Sequence, residues 1–465
     1  MIFRIEKDTC GKIKVFKNNL WGSQTQRSLK FFNVSVEKIP LPLIFAIVKI
    51  KKYSAKINFE LEALEKIIAS SIILASECVI KGKYNKEFPL SVWQTGSGTQ
   101  SNMNVNEVIS NISYKIIKFK MFQKKKIHPN DHINLSQSSN DLFPSSMHIS
   151  ILCEIKKFMI PSLNALIETF SIKSKKFHSL VKIGRTHLQD ATPITLGQEF
   201  SGYVKQLKLS KKNIYYSLKG IHHLALGGTA IGTGLNSHKK FGIYTTFELF
   251  KNTGISFISC KNKFQSLSSH ESLLFAHGAL KSLASGLMKI SNDIRWMSSG
   301  PRSGLGEINI PCNEPGSSIM PGKVNPTQCE SITMIVSQIL GNDVSINICG
   351  SNGNFELNVY KPTIIYNFLQ TIRLLSDGIY NFNNYCIAGV TTNNNNISKL
   401  VNNSLMLVTS LSPNIGYEKS AKIVKRAYKN NISLKESAVS LGFLNSSNFD
   451  KLIVPINMTN IKNKL

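Results

Sequence analysis

The chain has 465 residues, of which 42% are hydrophobic and 18% charged, and this length predicts roughly two or three domains. No apolar run reaches the roughly 18 residues that cross a bilayer, and acidic side chains near the start argue against a secretory signal. The eight cysteines are scattered without a CxxC pair, which favours reduced thiols over disulfides or a zinc site. We therefore expect a cytoplasmic protein with no membrane partner.

The net charge of +29 is the one compositional feature that points toward nucleic acid. However, the basic residues are spread along the whole chain, and the longest pure run is Lys124–Lys126. Only seven of the 56 basic residues are arginines, which bidentate base recognition prefers. We expect no specific nucleic-acid binding. A non-catalytic, basic nucleic-acid-binding protein stays open as an alternative.

Helical periodicity dominates from the N-terminal part onward. The stretch IPLPLIFAIVKI contains Pro40 and Pro42 and predicts the start of a buried helix. A second helix is predicted from Asp141 onward, and Thr195 with Gln198 forms a capping-box pattern that predicts the start of a third. The broad apolar face of the second comprises Ile149, Leu152, Ile155, Met159, Leu163, Leu166 and Phe170.

The strongest periodicity runs from Glu271 to Met297. Two heptad-spaced seams follow this segment; they comprise Leu273, Leu280, Leu287 and Ile294, and Ala276, Leu283, Ile290 and Met297. A further helix is predicted after Asn325, with Pro326 at its first position; it carries Ile332, Ile335, Ile339 and Leu340. The sequence predicts a mainly α protein with a mixed, mainly helical domain at residues 1–137, a long-helix bundle at 138–394 and a small helical domain at 395–465.

Four polar segments interrupt the helices. They are TGSGTQSNMN (95–104), HPNDHINLSQSSND (128–141), GRTHLQDATP (184–193) and NEPGSSIMPGKVNPTQCE (313–330). Taken singly, each is most simply an N-cap or a turn. Together they place Ser, Thr and Asn side chains at several helix N-termini, which favour anions, and they add His187 and Lys323. This combination indicates a site for a small dianionic acid.

The sequence resembles the class II fumarases of the fumarase/aspartase superfamily over essentially the whole chain. The resemblance lies in these four segments, including GSSIMPGKVNPTQCE within the last one, and in the stretch LGGTAIGTGLN. The resemblance implies a three-domain fold whose long helices form the core of a homotetramer, with each active site built from three subunits. It also implies reversible anti addition of water to fumarate, giving L-malate in the citric acid cycle, without a metal or organic cofactor.

The resemblance assigns roles to individual positions. Ser317 is the expected base, assisted by Lys323. His187 is expected to act as the general acid/base on the departing or entering water, and Glu330 to orient His187. The expected carboxylate-binding residues are Ser97, Gly98, Thr99, Ser138, Ser139, Asn140, Thr186, Ser318, Lys323, Val324 and Asn325. A second, surface anion site is implied at His128, Pro129, Asn130 and Asp131.

One position beside Ser317 departs from the family pattern. Family members usually carry Glu where Cys312 stands, so the loop beside Ser317 lacks one carboxylate. Within the superfamily, aspartate ammonia-lyase is the alternative activity. His187, Ser139 and the continuation NPTQCE favour the fumarase over the aspartase.

Overall fold

The computed structural model of the chain describes residues 2–120 and 125–460, so Lys124 of the basic run lies outside the described residues. Helices make up most of the described chain, which confirms the predicted mainly α class. They are α1 (Ser23–Phe31), α2 (Leu41–Glu60), α3 (Lys66–Ile80), α4 (Thr99–Lys120), α5 (Ser139–Glu154), α6 (Ile160–Lys176), α7 (Leu196–Ser217), α8 (Phe241–Thr253), α9 (Lys263–Ser268), α10 (Glu271–Met297), α11 (Thr327–Ser351), α12 (Lys361–Tyr385), α13 (Asn394–Asn403), α14 (Ser412–Ile415), α15 (Tyr417–Asn430), α16 (Leu434–Ser440) and α17 (Ser446–Leu452).

Strands in the described ranges are short and form four two-stranded sheets. The strands are β1 (Phe3–Asp8), β2 (Gly11–Phe16), β3 (Val181–Thr186), β4 (Gln189–Thr195), β5 (His223–Leu224), β6 (Ile258–Ser259), β7 (Ile308–Asn309) and β8 (Thr391–Thr392). The pairs β1–β2, β3–β4 and β7–β8 are antiparallel, whereas β5–β6 is parallel. The β3–β4 hairpin carries the predicted site residues Thr186 and His187 at its tip.

Contacts between Cα atoms divide the chain into two compact units. The first unit comprises Met1–Pro161, Lys212–Ala284 and Ser337–Ser376, and the second comprises Ser162–Lys211, Ser285–Val336 and Asp377–Leu465. Helices α10, α11 and α12 each contribute residues to both units. Each unit combines three segments that are distant in sequence. The predicted division into residues 1–137, 138–394 and 395–465 therefore stays a prediction.

The helices bury the faces that their periodicity predicts. Helix α10 spans the predicted range, and all eight seam residues are at most 3% exposed. The predicted face that begins at Ile149 is buried throughout α5, a π-helical turn at Ile155–Met159, and α6. The capping box before α7 forms as predicted, since Thr195 and Gln198 exchange hydrogen bonds of 2.9 and 3.0 Å.

Helix α11 starts later than predicted, and part of its apolar face is exposed. It begins at Thr327, one residue later than expected, because the Pro326 carbonyl accepts the first helical hydrogen bond. Leu340, which the sequence places on the apolar face of α11, is 40% exposed, and it forms an apolar stripe with Val344 and Ile348 at helical spacing. Among the described residues α11 is also the one helix that is long and apolar enough to span a membrane, a property that the core helix of a globular protein can equally have.

A separate apolar cluster in the second unit supports the β3–β4 hairpin. We call it the C-terminal cluster; it contains Ile183 of β3 and, from the end of the chain, Ile397, Val401, Leu407, Val408, Leu411, Ile423, Ala427, Leu434, Ala438 and Phe449. The Gln198 amide, close to β4, also donates to the Thr459 carbonyl at 2.7 Å. The helical C-terminal residues therefore form the platform on which this hairpin rests.

Candidate active site

In the first unit, the loop Ser97–Thr99 leads directly into α4. Gly98 adopts a φ of 80°, and a Cβ atom there would overlap the ring of Phe143, so both the backbone and the space require glycine. The Ser97 and Thr99 hydroxyls lie 2.9 Å apart. Consequently, two hydroxyl groups are held side by side at a helix N-terminus, where unpaired N–H groups favour an anion.

The segment Ser138–Asn140 forms the start of α5 in the same unit. Ser138 is the N-cap residue, and its hydroxyl accepts a hydrogen bond from the Asn140 N–H at 3.2 Å. The Asp141 carboxylate accepts from the Ser138 N–H at 2.9 Å, and the Asn140 side chain donates to the Ala230 carbonyl at 2.8 Å. This segment therefore has a fixed backbone before any ligand arrives.

Asn102 connects the two polar segments of the first unit. Its side-chain amide donates to the Ser139 hydroxyl at 3.2 Å and to the side-chain Oδ1 of Asn134 at 3.0 Å. Because the Ser139 oxygen accepts from Asn102, the Ser139 hydrogen is available to donate to a carboxylate. The ammonium group of Lys51 donates to the same Asn134 oxygen at 2.8 Å. The sequence prediction missed Asn102 and Lys51, although Asn102 lies inside a segment already singled out.

Asp141 holds a further loop against the start of α5. It is fully buried, and its Oδ2 accepts hydrogen bonds from the N–H groups of Gly227 and Thr229 at 3.0 and 2.9 Å. Burial raises the pKa of Asp141 to about 6, against the opposing effect of these hydrogen bonds. The capping position three residues after Ser138 was the only sequence signal for this residue.

In the second unit, His187 occupies a strained turn. Thr186 of β3 pairs with Gln189 of β4, which leaves a two-residue turn of His187 and Leu188. Both have left-handed backbones, with φ of 57° and 61°, as a type I′ turn requires. Each costs roughly 1–2 kcal/mol in this conformation, and such strain is concentrated at functional sites. The imidazole and the Thr186 side chain are exposed at the tip.

Ion pairs hold the strand that leads to this turn. The ammonium group of Lys182 lies 2.6 Å from Glu199 and 3.0 Å from Glu307, and the Arg185 guanidinium lies 2.9 Å from Glu307. Glu307 is fully buried; its oxygens are near these cations but outside hydrogen-bond geometry. The sequence prediction missed Glu307, because nothing in the local pattern links it to a strand more than a hundred residues earlier.

The loop around Ser317 directs backbone N–H groups at the Ser317 hydroxyl. Its Oγ accepts from the N–H of Ile319 at 3.3 Å and of Met320 at 3.0 Å. The Asn325 side chain closes the loop by donating to the Gly316 carbonyl. Two donors on one oxygen stabilise its ionised form, which is the condition that a serine base needs.

Two cavities lie on this loop. A cavity of about 980 Å³ is lined by Lys323, Val324, Asn325 and Glu330, together with Arg295. Another of about 450 Å³ is lined by the loop residues on the side of Ser317 and the exposed Cys312. Lys323 lines both cavities.

The two cavities are lined by Ser317, Lys323 and Glu330 but not by every predicted catalytic residue. His187 lines neither cavity. In the part of the chain that the structure describes, no hydrogen bond or ion pair joins His187 to Ser317 or Glu330. Within the first unit, hydrogen bonds of Asn102 join two of the predicted segments, whereas in the second unit the turn at His187 and the loop at Ser317 share no hydrogen bond or ion pair among the described residues.

The predicted second anion site lies on a π-helical turn, Pro129–Ile133. The His128 ring lies 3.0 Å from the Asp131 carboxylate and accepts from the Asp131 N–H at 3.2 Å. Both side chains are exposed, and nearby Lys125 pairs with Glu65. Its role as an anion site stays a prediction.

Metal and disulfide chemistry receive no support from the described residues. All eight cysteines are free. Across residues 2–120 and 125–460, no group of three or more His, Cys, Asp and Glu side chains is placed to hold a metal ion.

Two family profiles identify the chain as a member of the lyases. A profile described as Lyase matches residues 11–341, and one described as Fumarase C C-terminus matches residues 407–460. Among solved structures, a class II fumarase from Schistosoma mansoni is 43% identical with a TM-score of 0.96, covering 99% of this chain and 100% of that one. A Brucella melitensis protein described as fumarate lyase:delta crystallin is 35% identical with a TM-score of 0.93, covering 98% and 100%.

Relatives with curated names show which family of lyases the chain belongs to. A protein named Fumarate hydratase class II from Bordetella parapertussis is 57% identical over 99% of both chains. Proteins of the same name from Helicobacter pylori and Wigglesworthia glossinidia brevipalpis are 56% and 55% identical, over 98% and 100% of this chain and 99% and 100% of those proteins. The chain belongs to the class II fumarate hydratase family.

Proposed function

We propose that this protein is a fumarate hydratase, a hydro-lyase that interconverts fumarate and L-malate. The observation that carries the proposal is the loop geometry at Ser317, where two N–H groups donate to one serine oxygen beside a cavity lined by Lys323. The full-length similarity to proteins named Fumarate hydratase class II supports the same substrate pair.

In the dehydration direction, Ser317 as an alkoxide removes the C3 proton of malate. The electrons left on C3 delocalise into the adjacent carboxylate, and the resulting charge is the main barrier to be lowered. Each preorganised donor is worth roughly 3–4 kcal/mol in such a site. The segments Ser97–Thr99 and Ser138–Asn140 supply hydroxyl, amide and N–H donors, with Thr186, Ser318 and the loop Lys323–Asn325 completing the set.

The C2–O bond then breaks as His187 donates a proton to the departing hydroxyl group, so water and fumarate are released. In the hydration direction the same imidazole removes a proton from water, and Ser317 returns its proton to C3. Glu330 orients the imidazole in this proposal. No group outside the chain is needed to balance the reaction, so the absence of a cofactor stays our prediction.

The test is a spectrophotometric assay in which the purified protein converts L-malate into fumarate, followed by the ultraviolet absorbance of the new double bond. L-aspartate is run in parallel, because ammonia release from it would identify the aspartase alternative. Ser317→Ala is the specific control, since it removes the base without touching an apolar seam. Turnover of malate within a few-fold of the parent by this variant would refute the role of Ser317.

We further propose a homotetramer in the cytoplasm, with each site shared between subunits. Two observations support sharing: His187 lines neither cavity beside the Ser317 loop, and α11 carries the exposed apolar stripe of Leu340, Val344 and Ile348. A helix with such a stripe is expected to bury it against another chain.

Mixed refolding tests the shared site. Chains with His187→Asn and chains with Ser317→Ala are inactive alone, but a site that draws the two residues from different subunits becomes intact in a mixture. Random assembly restores roughly a quarter of the parent activity, one half times one half. The parent protein, unfolded and refolded in the same way, controls for refolding losses. A mixture that stays inactive while the control recovers would show that both residues come from one chain.

A further inference from the structure

Lys361, the first residue of α12, is a buried lysine that the predicted site does not include. Its side chain is fully enclosed, and its ammonium nitrogen has no hydrogen-bond partner among the described residues. An ammonium group without a partner in the interior is costly, so buried lysines are normally paired. An enclosed cation of this kind calls for a compensating charge.

Its backbone contacts the loop that carries Ser97–Thr99. The Lys361 N–H donates to the Gly96 carbonyl at 3.2 Å. A Cβ atom on Gly96 would overlap the Val359 carbonyl, so the loop lies directly on the segment that leads into α12. Lys361 therefore sits next to one of the two carboxylate-binding segments of the first unit.

The negative charge that acts on Lys361 is that of the Asp141 carboxylate. The same carboxylate also acts on two other lysines. Lys51 and Lys263 also interact electrostatically with Asp141, so one buried carboxylate acts on three lysines. Burial lowers the pKa of Lys361 to about 7 and that of Lys263 to about 8. His270 is another titratable neighbour of Lys361, and burial lowers the pKa of His270 to about 3, which keeps it neutral. These lysines can therefore take up protons when an anion binds nearby.

We propose that Lys361 is a further positioning residue for the reaction: a buried cation that compensates the charge of the dicarboxylate held by Ser97–Thr99 and Ser138–Asn140. It acts through the electrostatic field and through Asp141, which anchors the start of α5, rather than by touching substrate. Binding of the dianion is then coupled to protonation of the lysine cluster. This inference rests on the proposed fumarate hydratase function.

The test compares Lys361→Met, which removes the charge at similar volume, with Lys361→Arg, which keeps it. Lys173→Met is the matched control, because Lys173 is also buried but its ammonium group donates to the Val390 carbonyl at 2.7 Å in the second unit. We expect Lys361→Met to raise KM for L-malate roughly 10- to 50-fold, the effect of one unit charge several ångströms away at an effective dielectric constant near 20. The turnover number changes less, Lys361→Arg recovers most of the affinity, and Lys173→Met stays within twofold of the parent.

Calorimetric titration with succinate, a dicarboxylate that cannot be dehydrated, gives an independent readout. Titrations at neutral pH in two buffers of different ionisation enthalpy measure the protons taken up on binding. The parent protein should take up a fraction of a proton per site, and Lys361→Met should take up less. This measurement on the parent holds even if Lys361→Met fails to fold.

Two outcomes would overturn the inference while leaving the function intact. One is a folded, active Lys361→Met variant whose KM for malate and affinity for succinate match those of the parent. The other is an active parent that binds succinate with no proton uptake. A parent protein that neither dehydrates malate nor binds succinate would instead refute the proposed function, and the role of Lys361 with it.

Discussion

Replacing Glu307 by Gln should weaken the hairpin that presents His187. The substitution keeps the side-chain volume but removes the buried charge that lies 2.9–3.0 Å from Arg185 and Lys182. Leaving a buried cation without its partner typically costs about 3–5 kcal/mol. We expect about 3 kcal/mol, the lower limit, because Lys182 keeps its contact with Glu199 at 2.6 Å. For a unit of this size, that corresponds to roughly 6–12 °C in the midpoint of thermal unfolding.

Activity adds a second measurement on the same variant. A shift of about 1 Å in a catalytic group can cost roughly 100-fold in rate, so turnover of malate should fall about 10- to 100-fold with a smaller change in KM. Glu248→Gln is the matched control: Glu248 also pairs with two lysines, at 2.8 and 3.1 Å, but it lies in the first unit. Unchanged unfolding and turnover in Glu307→Gln would show that these ion pairs do not support the hairpin.

Three further predictions concern chemistry and pH. His187→Asn should lower turnover roughly 10²- to 10⁴-fold with a smaller effect on affinity, and a change confined to KM would make His187 a binding residue. EDTA should leave the rate of malate dehydration unchanged, whereas activity lost in EDTA and restored by a divalent ion would contradict a cofactor-free reaction. Burial lowers the pKa of His148 from its ordinary 6.5 to about 4. The unfolded chain therefore binds this proton more readily than the folded one, so the stability due to neutral His148 is complete above about pH 6.5 and is lost as the pH falls to about 4. The unfolding midpoint should fall over this interval, and less steeply in His148→Gln; equal slopes would rule out His148 as a cause.

Long helices and their buried faces could be predicted because helical periodicity is a local property. The seams of α10 repeat every seven residues, and every seam residue is buried as expected. The capping box at Thr195 and Gln198 could be predicted for the same reason, since both partners lie within one turn. Periodicity also predicts the apolar stripe of α11 but not what covers it, and Leu340 on that stripe is exposed.

The supports of the site could not be predicted, because they join distant parts of the chain. Glu307 contacts strand β3 more than a hundred residues away, and Lys361 contacts the loop at Gly96 across an even longer separation. The turn at His187 also lacked a signal. Its two central residues, His187 and Leu188, are not the Asn and Gly that normally indicate a type I′ turn, so only the backbone reveals the strain.

The C-terminal cluster has a consequence for how the protein is made. Ile183 of the hairpin strand packs against residues from Ile397 to Phe449, which leave the ribosome more than two hundred residues later. At the usual 5–20 residues per second, this is a delay of roughly ten to forty seconds or more during which the strand has no apolar platform. The strained turn at His187 therefore lacks its support until nearly the whole chain has been synthesised. A nascent or prematurely terminated chain can form its long helices, but it should be unable to present its histidine.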